Sequence, residues 1–287
     1  MAANNVDLSY VPTWCPGCGN YGIFNALKKA LTDAGLDLEQ TALVTGIGCS
    51  SKIGQYVNTY RIETLHGRTL PVATGLKLAN HELTVIINGG DGDGMGLGMG
   101  HFIHAARRNP DITYFIHNNQ IYGLTKGQPS PTSEQGMTTK FSPAPLGNVE
   151  QPVNIVRQAI SAGATFVART YTANMAQMTK LMVEAIHHPG FAVLDILQPC
   201  VSFNHVNTYQ WYQQRVKPIE TLAGYDPSDR EKALNLAGLW GDVIPTGLFY
   251  RELRPTLEQS LPQLANGPLV KQKLTDIDIT GLLQELQ

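Results

Sequence analysis

The sequence predicts an α/β protein organised as a doubly wound, mainly parallel sheet, and three observations predict it. Short apolar runs alternate with amphipathic stretches of helical period from about residue 20 to residue 200, the pattern left by successive strand–helix–strand units. Several of the apolar runs end in glycine or polar turn residues, as strands buried on both faces do where they emerge into a loop. The chain has 287 residues, 43% of them hydrophobic, which suffices for one large core or two modest ones.

Taken in order, residues 20–35 (NYGIFNALKKALTDAG) place Ile23, Leu27, Ala30, Leu31 and Ala34 at helical spacing, with Gly35 as a stop. Residues 41–48 (TALVTGIG) and 83–96 (LTVIINGGDGDGMG) read as buried strands running into glycine loops, the second more strongly. A helix over 96–110, closed by Pro110, leads into an apolar run, DITYFIHNN, at 111–119. Residues 153–163 and 174–188 read as helices, and 165–170 and 190–200 as strands. Beyond Cys200 the regularity fades, so residues 1–205 read as the main domain and 206–287 as a C-terminal extension packed on it. No repeat of fixed period is present.

Charge and patterning exclude several partners. Lys plus Arg number 21 and Asp plus Glu 23, with no long run of either sign, so neither nucleic acid nor a membrane surface is expected. The start of the chain has no basic segment followed by an apolar one, and no window approaches 18 uninterrupted apolar residues. A cytoplasmic protein is expected, in which the four cysteines (Cys15, Cys18, Cys49, Cys200) are not disulfide staples.

Ligands of such sheets gather in loops at the carboxyl ends of the strands. Residues 46–50, 89–94 and 118–124 fall on that edge, as does Cys200. In NGGDGDGMGLG, glycine lets backbone approach phosphate oxygens, and an Asp there can hold a hard cation through oxygen. Asp91 and Asp93 would repel a pyrophosphate without a metal, and no Gly-Lys-Ser or Gly-Lys-Thr follows, so neither the dinucleotide fingerprint nor a Walker loop fits. Asn118 and Asn119, at the end of the next strand, could complete an oxygen shell; the same pair also suits an ordinary turn.

The cysteines leave alternatives open, because thiolate sulfur suits iron and zinc alike. One close pair is followed by single cysteines 31 and then 151 residues later, which disfavours a zinc ribbon. A local dithiol would leave Cys49 and Cys200 without a role. Buried small apolar filler is the ordinary fate of such cysteines, yet four is the count a cubane cluster needs.

GDG followed after 25 residues by NN resembles the thiamine diphosphate signature. More closely, WCPGCG, GIGCS, HGR, GDGDG, HNNQIYGLTKGQPSPTS and IPTGLFY together resemble the β subunits of 2-oxoacid:ferredoxin oxidoreductases, over essentially the whole chain. The resemblance implies a thiamine diphosphate-binding fold of the pyrophosphate-domain type. It makes Asp91, Asn119 and the carbonyl of Ile121 magnesium ligands, and puts Gly90, Gly92, Asp93, Gly123 and Leu124 around the diphosphate. Ile47, Gly48, Cys49, Ser50, His66 and Gly67 become further cofactor contacts, His66 within the catalytic set. Lys52 is similar to a family lysine that recognises substrate, although an isolated lysine is ordinarily a surface cation. Cys15, Cys18, Cys49 and Cys200 become the ligands of one [4Fe–4S] cluster.

The implied reaction is oxidative decarboxylation of a 2-oxoacid, 2-oxoglutarate favoured, with coenzyme A and ferredoxin, in either direction. An α subunit would supply the pyrimidine-binding domain and the activating Glu, in an α2β2 assembly. A cluster-free thiamine decarboxylase or synthase, and a non-catalytic electron-transfer subunit, are the competing expectations. His101, His104, His117, His187 and His188 read as packing or surface residues, and Arg107 and Arg108 either as a docking point for an acidic ferredoxin or, as is usual for two adjacent arginines, as a solvated helix end.

Overall fold

The structure, a computed structural model, describes Val6 and residues 10–222, 224–273, 275 and 278–286. After the cysteine pair comes α1 (Asn20–Asp33), whose Ile23, Leu27, Ala30 and Leu31 are buried along one face while Lys29 pairs with Asp33 outside at 2.9 Å. It ends where the sequence places its stop: Gly35 takes φ +65°, and Leu36 donates its N–H to the Leu31 carbonyl at 3.3 Å.

There follow β1 (Thr41–Thr45), β2 (Tyr60–Glu63), α2 (Thr69–Ala79), β3 (Thr84–Gly90), α3 (Met99–Arg108), β4 (Thr113–Asn118), α4 (Ile155–Ala162), β5 (Phe166–Tyr171), α5 (Met175–Ile186) and β6 (Ala192–Leu197). The remainder contributes α6 (Tyr209–Arg215), β7 (Val216–Pro218), α7 (Arg230–Ala237), β8 (Ile244–Arg251) and α8 (Thr280–Glu285). Among the described residues, eight strands form one sheet in the order β2-β1-β3-β4-β6-β5-β8-β7. The strands from β1 to β6 are parallel, and β8 lies antiparallel to β5.

Alternate residues of the central strands bury themselves on opposite faces. Val44, Val85, Ile87, Tyr114 and Ile116 join one core with Phe102 of α3 and Val156 of α4. Leu43, Ile86, Phe115 and Leu194 join the other with α1 and α5. Each such side chain contributes about 1.5–3 kcal/mol when fully buried, which is why these strands read as continuous apolar runs with no polar face.

The sequence reading overlooked β2, α2, β7 and β8. All four residues of β2 are exposed, so it carries no apolar pattern. Pro71 and Gly75 obscure α2, but Pro71 lies in the first turn, where backbone N–H groups have no helical partner anyway. Pro245 and Gly247, the latter at φ +133°, likewise interrupt β8. Residues after 205 therefore add two strands to the sheet.

Register decides what meets at the carboxyl edge. Thr45 pairs with Asn88, Gly90 with His117, and Asn118 with Leu197. The loops beginning at Gly46, Asp91, Asn119 and Gln198 consequently leave the sheet side by side.

Candidate active site

One cavity of about 90 Å³ at this edge is lined by Ile47, Gly48, Cys49, Ser50, His66, Gly90, Asp91, Gly92, Asp93, Asn119, Ile121, Gly123 and Leu124, together with His117, Tyr122 and Thr125. Gly67 stands behind it, donating its N–H to Asp93 Oδ1 at 2.8 Å.

The two aspartates do different work. Asp93 Oδ1 accepts from Ile47 N–H (3.1 Å) and Gly67 N–H (2.8 Å) and lies 2.8 Å from His66 Nδ1, so it binds the loops after β1 and β2 to the turn after β3. Gly46 makes that approach possible, since a Cβ there would collide with the Asp93 carboxylate. Asp91 is 2% exposed; its Oδ2 accepts from Ser130 Oγ (2.6 Å) and Thr132 Oγ1 (2.5 Å), and its Oδ1 from Asn119 N–H (3.4 Å). Burial pushes its carboxyl up from the ordinary range, and the hydroxyl donors oppose this. Among the described residues no lysine or arginine pairs with it. A buried carboxylate without a cation is costly, and a divalent ion beside it would remove that cost. Asn119 Oδ1, 3.1 Å from Ile121 N–H, is a second hard oxygen close by.

Ser50 adds an unpartnered polar group to this cavity. It is 4% exposed, and its hydroxyl has no partner even though Ser50 occupies the N-cap of a short helical turn, where serine ordinarily caps. A Cβ on Gly90 would reach within 3.4 Å of that oxygen. Gly92 is needed for a separate reason: Tyr122 packs where its Cβ would be and donates its hydroxyl to the Gly92 carbonyl at 3.1 Å.

A second cavity, about 220 Å³, adjoins the first. Cys15, Cys18, Cys49 and Cys200 all line it, with Lys52, Lys126 and Gln198. The two cavities share Cys49, Asn119, Gly123 and Leu124. A Cβ on Gly123 would stand 3.5 Å from Cys200 Sγ and 3.8 Å from Cys49 Sγ, so the wall there is one residue thick. Among the described residues no three His, Cys, Asp or Glu side chains converge tightly enough for a single metal ion. The four thiols line one cavity from chain segments far apart in sequence. Burial pushes the Cys18 thiol up to about 11 and raises Cys49 and Cys200 also. Such thiols give up their protons when a metal takes their place.

The turn carrying Cys15 and Cys18 is fixed by Trp14, whose Nε1 donates to the Cys49 carbonyl at 2.7 Å and whose ring meets Tyr21, Phe24 and Tyr56 edge-on. Lys52 Nζ approaches Thr13 Oγ1 at 3.3 Å at the edge of the thiol cavity. His117 is a packing residue, as expected: it is buried with its Nδ1 2.7 Å from the side-chain amide of Asn20 and its Nε2 3.0 Å from that of Asn88. Ser130, Thr132, Tyr122 and Gln198 went unassigned in the sequence reading. The first three lie in or beside the quoted QIYGLTKGQPSPTS run, but hydroxyls in a loop carry no signal of what they hold.

A thiamine diphosphate-type domain is the class these features define. The family described as "Thiamine pyrophosphate enzyme, C-terminal TPP binding domain" matches residues 46–196, and the family of the C-terminal part of the pyruvate ferredoxin oxidoreductase beta chain matches residues 200–266. The 2-oxoacid:ferredoxin oxidoreductase subunit beta of Sulfolobus sp is 45% identical over 267 residues, covering 89% of this chain and 86% of that protein. The 2-oxoglutarate synthase subunit KorB of Archaeoglobus fulgidus is 43% identical, covering 91% and 93%. A solved 2-oxoglutarate:ferredoxin oxidoreductase from Magnetococcus marinus, with 2-oxoglutarate, coenzyme A and succinyl-CoA bound, superposes with a TM-score of 0.91 at 38% identity, covering 100% and 96%. The chain belongs to the β subunits of the 2-oxoacid:ferredoxin oxidoreductases.

Proposed function

We propose that this chain, joined to an α subunit, catalyses coenzyme A-dependent oxidative decarboxylation of a 2-oxoacid, 2-oxoglutarate foremost, to acyl-CoA and carbon dioxide with reduction of ferredoxin, and the reverse. The carrying observation is the shared wall: a cavity with an unpartnered buried hydroxyl and a buried carboxylate that has no cation beside it lies one residue from a cavity lined by four thiols.

Thiamine diphosphate, when bound, supplies the carbanion-stabilising chemistry that decarboxylation of a 2-oxoacid requires. Asp91, Asn119 and the Ile121 carbonyl hold its magnesium, while Ser50, Gly90 and the Gly123–Leu124 backbone meet the diphosphate. Asp93 and His66 keep the surrounding loops in place. Cys15, Cys18, Cys49 and Cys200 hold a [4Fe–4S] cluster within short reach, and Lys52 offers a cation for the substrate carboxylate. The 2-oxoglutarate preference is supported by the bound compounds of the Magnetococcus marinus enzyme and the name of the Archaeoglobus fulgidus relative. The activating Glu and pyrimidine-binding domain come from the α subunit in an α2β2 assembly. Residues 206–287 serve the main domain as an extension, and the assembly works in the cytoplasm, in line with free thiols. Among the described residues no helix is long and apolar enough to cross a membrane.

Calorimetry on the purified assembly should show thiamine diphosphate and magnesium binding to the wild type and no binding to Asp91→Ala. Cys200→Ser should lose iron and sulfide as completely as Cys15→Ser, and 2-oxoglutarate should turn over faster than pyruvate or branched 2-oxoacids. Full turnover by iron-free protein would refute the electron-transfer part; cofactor binding undiminished in Asp91→Ala would refute the metal site.

A further inference from the structure

The reduction potential of an iron–sulfur cluster depends on net charge, solvent exposure and the hydrogen bonds donated to its sulfurs. The four thiols differ in the donors they receive. Backbone N–H groups after Cys200 and that of Asn20 after Cys18 favour the thiolate forms of these two cysteines. Such donors come with the loop, whatever its side chains. Cys18 also receives a side-chain donor: Gln198 Nε2 lies 3.3 Å from its Sγ, and Gln198 is 1% exposed.

The position of Gln198 is fixed from several sides. It follows the last residue of β6, and its backbone N–H donates to the Asn118 carbonyl at 2.9 Å, which extends the ladder to β4 by one bond. A Cβ on Gly19 would stand 2.6 Å from Gln198 Cγ and 3.1 Å from Thr172 Cγ2, so glycine is what lets the amide lie against the cysteine turn. Thr172 Oγ1 holds the same turn from behind by donating to the Gly19 carbonyl at 2.7 Å. The other end of the amide, Oε1, is buried without a partner. Chemistry decides which end faces the sulfur. A cysteine bonded to iron has no S–H left and can only accept, whereas an amide oxygen can only accept as well. The N–H end must therefore meet it.

Resting on the cluster reading above, we propose that Gln198 is a positioning residue that acts through Cys18 to raise the cluster's reduction potential. The added electron of the reduced cluster puts negative charge on the cysteine sulfurs, and a donated N–H stabilises that state more than the oxidised one. Gln198 lines the thiol cavity and not the cavity assigned to thiamine diphosphate; its effect is on how readily the cluster accepts each electron.

The test is an EPR-monitored redox titration of the assembled enzyme. Gln198→Met keeps the chain length and removes the donor; Gln198→Glu puts an acceptor in its place. Iron and sulfide content should stay at the wild-type level. At a fixed ambient potential the oxidised-to-reduced ratio should rise at least tenfold in Gln198→Met, a shift of about 59 mV to lower potential for a one-electron couple, and at least as far in Gln198→Glu. An unchanged ratio in Gln198→Met with full iron content would overturn the proposal. Should Gln198→Met fail to load iron, wild-type enzyme labelled with 15N in its glutamine side chains decides: pulsed EPR of the reduced cluster should reveal a 15N coupling, and its absence overturns the proposal. Wild-type enzyme without iron would overturn the cluster reading itself, a different failure.

Discussion

Replacing Ser50 by alanine should move stability and cofactor affinity in opposite directions. The hydroxyl is buried at 4% exposure, makes no hydrogen bond, does not cap the turn it begins, and sits at the rim of the glycine loop. An unsatisfied buried polar group costs the fold about 1–3 kcal/mol. Its removal returns part of that, and the hole left by one oxygen is small, so the cofactor-free protein should gain on the order of 1 kcal/mol. A hydrogen bond to a charged diphosphate oxygen is worth about 1.5–3 kcal/mol, so the dissociation constant for thiamine diphosphate with magnesium should rise roughly 10- to 150-fold. Chemical denaturation without cofactor measures the first effect and isothermal calorimetry the second. A Ser50→Ala protein that is less stable when empty and binds thiamine diphosphate unchanged would refute the assignment of this hydroxyl.

Acid should expose the buried histidines. Burial pushes His117 down to about 3, so its neutral form stabilises the fold above the ordinary histidine range, and that contribution is lost as pH falls from about 6.5 toward 3. Between pH 6.5 and 5 the loss from His117 is on the order of 2 kcal/mol; His117→Gln, whose polar amide takes up no proton in this range, should flatten the stability–pH slope by one proton, and an unchanged slope would contradict the burial argument. The Arg169–Asp195 pair, 2.8 Å apart with exposures of 1% and 0%, is also held by Asn118 Nδ2 on Asp195 Oδ1 at 2.9 Å. Arg169→Met should destabilise by about 3–5 kcal/mol because it strands a buried carboxylate, and adding Asp195→Leu should restore much of this. A single variant within about 1 kcal/mol of wild type, by denaturant titration, would disprove the stranding.

Much of the site could be read in the sequence because its parts are local. A glycine loop after a strand, two asparagines after the next and a Cys-Pro-Gly-Cys turn before a helix each have a short-range physical reason for their composition. Elements without such a reason escaped. β2 has no buried face, and β8 is broken by Pro245 and Gly247, so the strand that covers one side of β5 looked like irregular tail.

The sequence alone determined the donor types available, the alternation that makes a parallel sheet, and the side of that sheet where ligands gather. Period-two burial and loop composition are properties of neighbouring residues and need no distant partner. Tertiary structure alone decided which donors are free. Asp93, which looks in sequence like a twin of Asp91, commits Oδ1 to His66, Ile47 and Gly67 and leaves Oδ2 buried without a partner; Asp91 has donors on both oxygens but no lysine or arginine beside it among the described residues, and the Ser50 hydroxyl has no partner. Strand register also decided that cysteines scattered from position 15 to position 200 face one cavity. Hydrogen-bond partners and register depend on chain segments far apart in sequence, and only the packed fold brings those segments together.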